Sequence, residues 1–344
     1  MVVAPTLLPV ESLSPPEFIE GVSKQNISEI LSKRATPAVI KGYAKKWPLI
    51  LASKDSDASV INKLKQTSLN KPQQLVTLAK ETAGRMFYNE QVNGFNYQTQ
   101  RQAMDACLDA MELYNDGKTE TRSCIQCVPV AANFDQYQSL IDVPNLPGST
   151  SFFFWIGNDA IVAPHFDEAQ NLAIVATGRR RFTLFPPEQV SNLYIGPLDF
   201  TPAGQPISLV DITNPDLSRF PRYALAYEQA MSVVLEPGDA IYIPSPWWHH
   251  VQALEKFNVL VNFWWNHSTV ASEMPYPALM HSMLAFRNLP ASEKRAWQAM
   301  MEHFVFGQTD ASTTHIPQSS QGVLGKISPK LASGLHNWLK QFYK

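Results

Sequence analysis

From Cys124 to Trp265 the chain is a succession of short runs rich in β-branched and aromatic residues, punctuated by Pro, Gly and Asn. A stretch of that texture can bury itself only as a barrel or as a double-sheet jelly roll. The strand candidates are Phe152–Ile156, Leu172–Ala176, Arg181–Phe185, Ser232–Leu235, Ala240–Ile243 and Val259–Trp265. Between two of them, Glu236-Pro237-Gly238-Asp239 has the chemistry of a type II turn. Proline presets φ at its second position and glycine supplies positive φ at its third.

The flanks read differently. Up to about Thr121 the pattern is helical with interruptions. Ser14-Pro15-Pro16-Glu17 predicts a helix start followed by an apolar side of Phe18, Ile19 and Val22. Ala38-Val-Ile-Lys-Gly42 predicts a short strand, with Trp47-Pro48 just beyond, and Ala58–Gln66 and Arg101–Tyr114 predict amphipathic helices. In the second of these, Ala103, Cys107, Ala110, Met111 and Tyr114 recur at helical spacing. After Ser268, Tyr276–Arg287, Ser292–Phe304 and Pro329–Tyr343 are again helical, the last with Leu331, Leu335, Trp338, Leu339 and Phe342 on one side. The expected division is a helical and mixed region over 1–121, a β core over 122–268 and a helical region over 269–344. The core carries an insert over 187–227, rich in Pro, Asp and Asn and too long for a hairpin connection.

Composition removes several function classes. With 45% hydrophobic and 17% charged residues and a formal net charge of −2, the chain is ordinary globular material. Its basic residues are scattered apart from Lys45-Lys46 and Arg179-Arg180-Arg181, so no stripe tracks a phosphate backbone. Three cysteines are too few for a disulfide framework, and Met1–Glu11 lacks a secretory pattern, so a cytoplasmic location is expected. Cys124-Ile-Gln-Cys127 has CxxC spacing but no second pair and no histidine partners, which favours a packed strand over redox or zinc chemistry. The longest apolar runs are strand-length, so no membrane segment is expected.

The chemistry concentrates in Pro164-His165-Phe166-Asp167. On an extended backbone the side chains of His165 and Asp167 share a side and aim at one point. A third donor from a distant strand would complete a facial triad, which leaves metal positions open for a co-substrate and dioxygen. Tyr242-Ile-Pro-Ser-Pro-Trp-Trp-His-His250 offers His249 and His250, and since neighbours on an extended chain face opposite sides, only one of them can join. Asn171 lies on the same side as Asp167, and an isolated His-x-Asp without such company would carry little weight.

In order along the chain, several further blocks accompany this motif: Ala38–Gly42 with Trp47-Pro48, Pro164–Asn171, Gly178–Phe182, Leu184-Phe-Pro-Pro187, Asn214-Pro-Asp216 with Arg219-Phe-Pro221, Pro237-Gly-Asp239, Tyr242-Ile-Pro244, Trp247–His250 and Val261-Asn-Phe-Trp264. Together, over about Ala38–Trp265, the sequence resembles the JmjC-type (cupin-8) 2-oxoglutarate oxygenases, and within them the branch of the asparaginyl hydroxylase acting on hypoxia-inducible factor. The resemblance implies a mainly β fold, a double-stranded β-helix with flanking N- and C-terminal helices. It implies Fe(II) held by His165, Asp167 and His249, with Asn171 and Asn262 beside a 2-oxoglutarate co-substrate and Trp264 lining the pocket. The alternation in Val259–Trp265 agrees, because it sets Leu260, Asn262 and Trp264 on one face.

At the position of the family's lysine, which neutralises the distal carboxylate of 2-oxoglutarate, this chain has Arg180. If Arg180 points inward, alternation turns Arg179 and Arg181 outward. Two family hydroxyls are missing: Val162 replaces a threonine three residues before His165, and the Cys124-Ile125 region offers no tyrosine. The implied activity is hydroxylation of a protein or peptide side chain, with dioxygen and 2-oxoglutarate consumed and succinate and carbon dioxide released. The alternatives are a tRNA-base hydroxylase of the same family and a metal-binding cupin that serves as an interaction protein. A cupin isomerase or hydrolase is disfavoured, since such proteins commonly use more histidine donors. The C-terminal helices suit a homodimer contact.

Overall fold

The short β-rich runs form strands, which the computed structural model assembles into two sheets; it describes residues 7–147, 150–266, 274–307 and 313–342. The strands are β1 (Glu17–Phe18), β2 (Ala38–Ile40), β3 (Pro72–Leu78), β4 (Arg85–Met86), β5 (Gln98–Ala103), β6 (Arg122–Pro129), β7 (Ser151–Gly157), β8 (Ile161–His165), β9 (Gln170–Thr177), β10 (Arg180–Phe185), β11 (Met231–Leu235), β12 (Ala240–Ile243), β13 (Trp248–Ala253) and β14 (Asn258–Trp265). The major sheet runs β1-β2-β12-β9-β14-β7-β6-β3-β5 and the minor sheet β11-β10-β13-β8-β4.

Both turns that the sequence marks with glycine carry the chain from one sheet to the other. Gly178 (φ +70°) links β9 to β10, and a Cβ there would stand 2.3 Å from Asn258 Oδ1. Gly238 (φ +96°) links β11 to β12, within a turn closed by the Asp239 N–H donating to the Glu236 carbonyl at 3.0 Å. The buried Asp239 carboxylate also accepts from Gly42 N–H at 2.8 Å, from Glu236 N–H at 3.0 Å and from Lys41 Nζ, so the crossing is tied to the end of β2. Repeated switching between two sheets makes the double-stranded β-helix.

Alternation sorts the core into two layers. Ala173, Val175, Phe182, Leu184, Leu235, Ile241, Val251 and Leu260 fill the space between the sheets. Phe154, Ile156, Leu172, Ile174, Val261 and Phe263, on the other face of the major sheet, pack against the helices Ile27–Ser32, Pro48–Ser53, Asp57–Thr67 and Met104–Asn115. Each fully buried aliphatic or aromatic side chain contributes roughly 1.5–3 kcal/mol, so both layers hold the strands rigidly.

Several N-terminal expectations are corrected. Ser14–Val22 is not helical: Glu17 and Phe18 pair in parallel with Ala38 and Val39, because the preceding prolines keep the chain extended. The helix expected over Arg101–Tyr114 begins only at Met104, since Arg101–Ala103 belong to β5 and pair with β3. β3, with Leu75, Val76 and Leu78 buried, and the polar β5 are not among the expected strands, and they extend the major sheet beyond β6. Further along, His249 and His250 stand at the start of a separate strand, β13, beyond the strand β12 that follows Gly238.

The insert after β10 is packed. Leu193, Val210, Phe220 and Tyr223 form a small core against Phe185 and Trp248, and the helix Tyr223–Glu228 leads back to β11. Residues 1–266 make one compact unit and 267–344 another. The second contains the helices Pro275–Phe286, Ala291–Met301 and Pro329–Lys340, with a π turn over Glu302–Phe306. The expected boundary at 269 and the final residue of the expected helix, Tyr343, lie outside the described residues. No helix among the described residues is long and apolar enough to cross a membrane.

Candidate metal centre

His165 and His249 face one another as Cα partners across β8 and β13. The register reaches that pairing through a bulge: Val162 pairs with Val251 and His165 with His249, so three steps on β8 match two on β13. Without the extra residue, strict alternation from the inward Val162 would turn His165 out of the barrel. Pro164 sits in the bulge, where a residue without an N–H costs the ladder nothing.

The donor atoms of His165, Asp167 and His249 all lie within 4.8 Å of one another, and this is the one such His/Cys/Asp/Glu group among the described residues. The imidazole centroids are 4.3 Å apart, and His249 Nε2 is 3.6 Å from Asp167 Oδ2. His165 Nδ1 lies 2.9 Å from the Ala163 carbonyl, and His249 Nδ1 lies 3.1 Å from the Trp247 carbonyl. A carbonyl only accepts, so in each ring Nδ1 carries a proton and Nε2 is left as the nitrogen that can ligate. Burial, reinforced by His165, pushes His249 down to about 4 against the pull of Asp167. At neutral pH the ring is therefore uncharged, the form that ligates a metal.

Asn171 Nδ2 donates to Asp167 Oδ2 at 2.9 Å, and Asn262 Nδ2 donates to Asn171 Oδ1 at 2.7 Å. This chain orients the carboxylate from behind, and Ser245 Oγ bonds the Asp167 carbonyl at 2.9 Å. Beside the triad lies a cavity of about 210 Å³, with His165 and Asp167 in its wall opposite the indoles of Trp155 and Trp264. Trp155 Nε1, Trp264 Nε1 and Asn262 Oδ1 are buried and have no hydrogen-bond partner among the described residues.

Arg180 points into the barrel, as alternation requires, while Arg179 is exposed and pairs with Glu255. Its guanidinium donates to the Trp155 carbonyl at 3.2 Å, its Nε has no partner, and no carboxylate pairs with it among the described residues. Burial pushes it down to about 10. It lies against Trp155 without forming part of the cavity wall itself.

The cavity has walls that sequence reading missed. Trp155 alternates with the outward Phe154 and Ile156, a signal that could have placed it inside. Tyr97, Cys127 and Gln205 arrive from three distant segments with no local mark. Phe95 stacks between Tyr97 (5.2 Å) and Phe200 (4.9 Å), and Tyr97 Oη donates to the Pro202 carbonyl, so the insert is fastened over the cavity. Cys124 is buried in β6, whereas Cys127 is exposed at a bulge with φ +51°, and neither is disulfide-bonded.

A family model described as a cupin-like domain matches residues 24–270. The chain is also similar to the lysine-specific demethylase JMJ31 of Arabidopsis thaliana, 34% identical over 141 residues, which is 41% of this chain and 24% of that protein. It is 36% identical over 112 residues to human HSPB1-associated protein 1, covering 32% of this chain and 22% of the relative. To the tRNA wybutosine-synthesizing protein 5 of Danio rerio it is 36% identical over 103 residues, 30% of this chain and 28% of the relative. The aligned stretches thus span about a quarter of the length of these relatives.

Proposed function

Because this chain belongs to the cupin-like domain family of JmjC type, we propose that it is an Fe(II)- and 2-oxoglutarate-dependent oxygenase that hydroxylates a protein or peptide side chain. The observation that carries the reading is the donor set: two imidazoles and one carboxylate, from the bulged end of β8, the segment just after it and the start of β13, converge within 4.8 Å. Two nitrogens and one oxygen on one side of a site are the chemistry of a non-haem ferrous centre with positions to spare. The residues fit the metal, since both rings turn Nδ1 to a carbonyl and leave Nε2 for a ligand, burial keeps His249 neutral, and Asp167 is held by Asn171. They also fit a small dicarboxylate, because the interior holds an unpaired guanidinium at Arg180 and unsatisfied indole N–H groups at Trp155 and Trp264.

When bound, iron and 2-oxoglutarate supply the oxidation of a substrate C–H bond by dioxygen, with release of succinate and carbon dioxide. The chain's own part is positional. His165, Asp167 and His249 hold the metal, and the Asn171–Asn262 pair keeps the carboxylate from rotating. Arg180 supplies the positive charge that a buried distal carboxylate requires, in the place of the lysine of similar proteins. Trp155, Trp264 and Met86 exclude water from the cavity, and apart from the triad's own Asp167 its wall carries no carboxylate, lysine or arginine. A wall without cations suits an uncharged side chain on a peptide better than a polyanion, which places a tRNA base second.

Anaerobic addition of Fe(II) and then 2-oxoglutarate should produce a weak visible charge-transfer band in the wild type and in His250→Ala, and none in His165→Ala. A wild type that binds iron without developing the band would overturn the co-substrate assignment. Equal loss of iron binding in the two variants would overturn the ligand assignment.

A further inference from the structure

Successive residues of β13 face opposite sides of the minor sheet, so His249 turns into the barrel and His250 away from it. On that outer face lies a second cavity, of about 370 Å³. Its floor is Arg181 and Thr183 from β10 with His250 and Gln252 from β13, and Thr183 and His250 are direct Cα partners. The segment Leu7–Glu11 and the insert around Ile212 close it over.

Two of its polar atoms are buried without a partner among the described residues, Thr183 Oγ1 and His250 Nδ1, on side chains 0% and 3% exposed. Folded proteins satisfy such groups, and here both stand side by side on a rigid sheet in the wall of a cavity. The charges nearby are already matched: Arg181 pairs with Glu11 at 2.7 Å. What remains for a ligand is a hydroxyl, an imidazole nitrogen and the Gln252 amide N–H group, its Oε1 being taken by Arg181 at 3.5 Å, with apolar cover from Leu8 and Ile212.

We propose that this outer cavity is a second ligand site, separate from the triad, which takes a small uncharged molecule of the amide or alcohol class through Thr183 and His250. Charged ligands are disfavoured because seating one would break the Arg181–Glu11 pair or leave the new charge unmatched. The site rests on its own observations and stands whether or not the triad binds iron.

The test is saturation-transfer NMR on the full chain, with N-methylacetamide and 1,2-propanediol as neutral probes and acetate as the charged one. At least one neutral probe should saturate and outcompete acetate. Thr183→Val, which preserves shape and removes the hydroxyl, should weaken it roughly tenfold, the worth of one or two hydrogen bonds. Ile212→Trp, placed in the insert and not in the sheet, should abolish it by filling the space. His165→Ala should leave it unchanged, which separates this site from the metal reading. Failure of both neutral probes to saturate, tighter binding of acetate, binding that survives Thr183→Val and Ile212→Trp, or loss in His165→Ala would each overturn the proposal.

Discussion

Replacing Arg180 by methionine tests the charge balance of the barrel interior. The guanidinium is buried, has one neutral acceptor at 3.2 Å and leaves Nε unbonded. Its folded pKa is pushed from 12.5 to about 10 by burial. A depressed pKa on a cationic group means that folding disfavours the charged form, so the cost is present in full at every pH below the folded value, including pH 7. The shift corresponds to about 3 kcal/mol. Loss of the bond to the Trp155 carbonyl returns about 1 kcal/mol of that. Arg180→Met should therefore stabilise the ligand-free protein by about 1–3 kcal/mol, or about 2–8 °C in Tm for a unit of this size. Differential scanning fluorimetry of the metal-loaded chain, with and without 2-oxoglutarate, reads both halves of the argument. The wild type should gain Tm from 2-oxoglutarate and the variant should not. A variant less stable than the wild type would mean that the guanidinium is net favourable where it lies, and a 2-oxoglutarate shift that survives the substitution would remove Arg180 from the proposed anchor.

Three further outcomes follow from the same geometry. Asn171→Ala removes the amide that donates to Asp167 Oδ2 and should lower Fe(II) or Co(II) affinity by about 10–100-fold in an anaerobic titration; unchanged affinity would mean the carboxylate is oriented without it. Burial pushes His249 to about 4 and His250 to about 3, so stability from keeping these rings neutral should be intact above about pH 6.5 and fall away as pH drops towards 3. In metal-free melts across that range His250→Leu should flatten the slope, and an identical slope would deny His250 any part in it. Described by themselves, the helices Pro275–Phe286, Ala291–Met301 and Pro329–Lys340 bury no residue and expose Leu284, Trp297 and Trp338, which fits a contact between two copies. Light scattering after gel filtration should report a dimer that Leu284→Asp converts to monomer, and a monomeric wild type would refute it.

The apolar strands of the barrel told the most. β9, β12 and β14 have one face in the barrel and the other under helices, so their apolar runs are continuous. Strand and turn could therefore be read locally, and alternation with Phe182 and Leu184 or with Leu260 gives the inward faces of Arg180 and Asn262. The helix boundary at Met104 could not. Gln98–Ala103 is a polar edge strand with no buried residue of its own to announce it, and its state is set by pairing with β3 from elsewhere in the chain.

The sequence by itself determined the kind of fold and narrowed the donors to His165, Asp167 and one of His249 and His250, because side-chain period and donor chemistry are properties of neighbouring residues. Tertiary structure alone decided that His165 faces inward, since that depends on a bulge defined only against β13. It alone brought Trp155, Tyr97, Cys127 and Gln205 to one cavity, and left Thr183 and His250 unpartnered in another. Those facts are relations between segments far apart in the chain, and no local pattern encodes a distance between them.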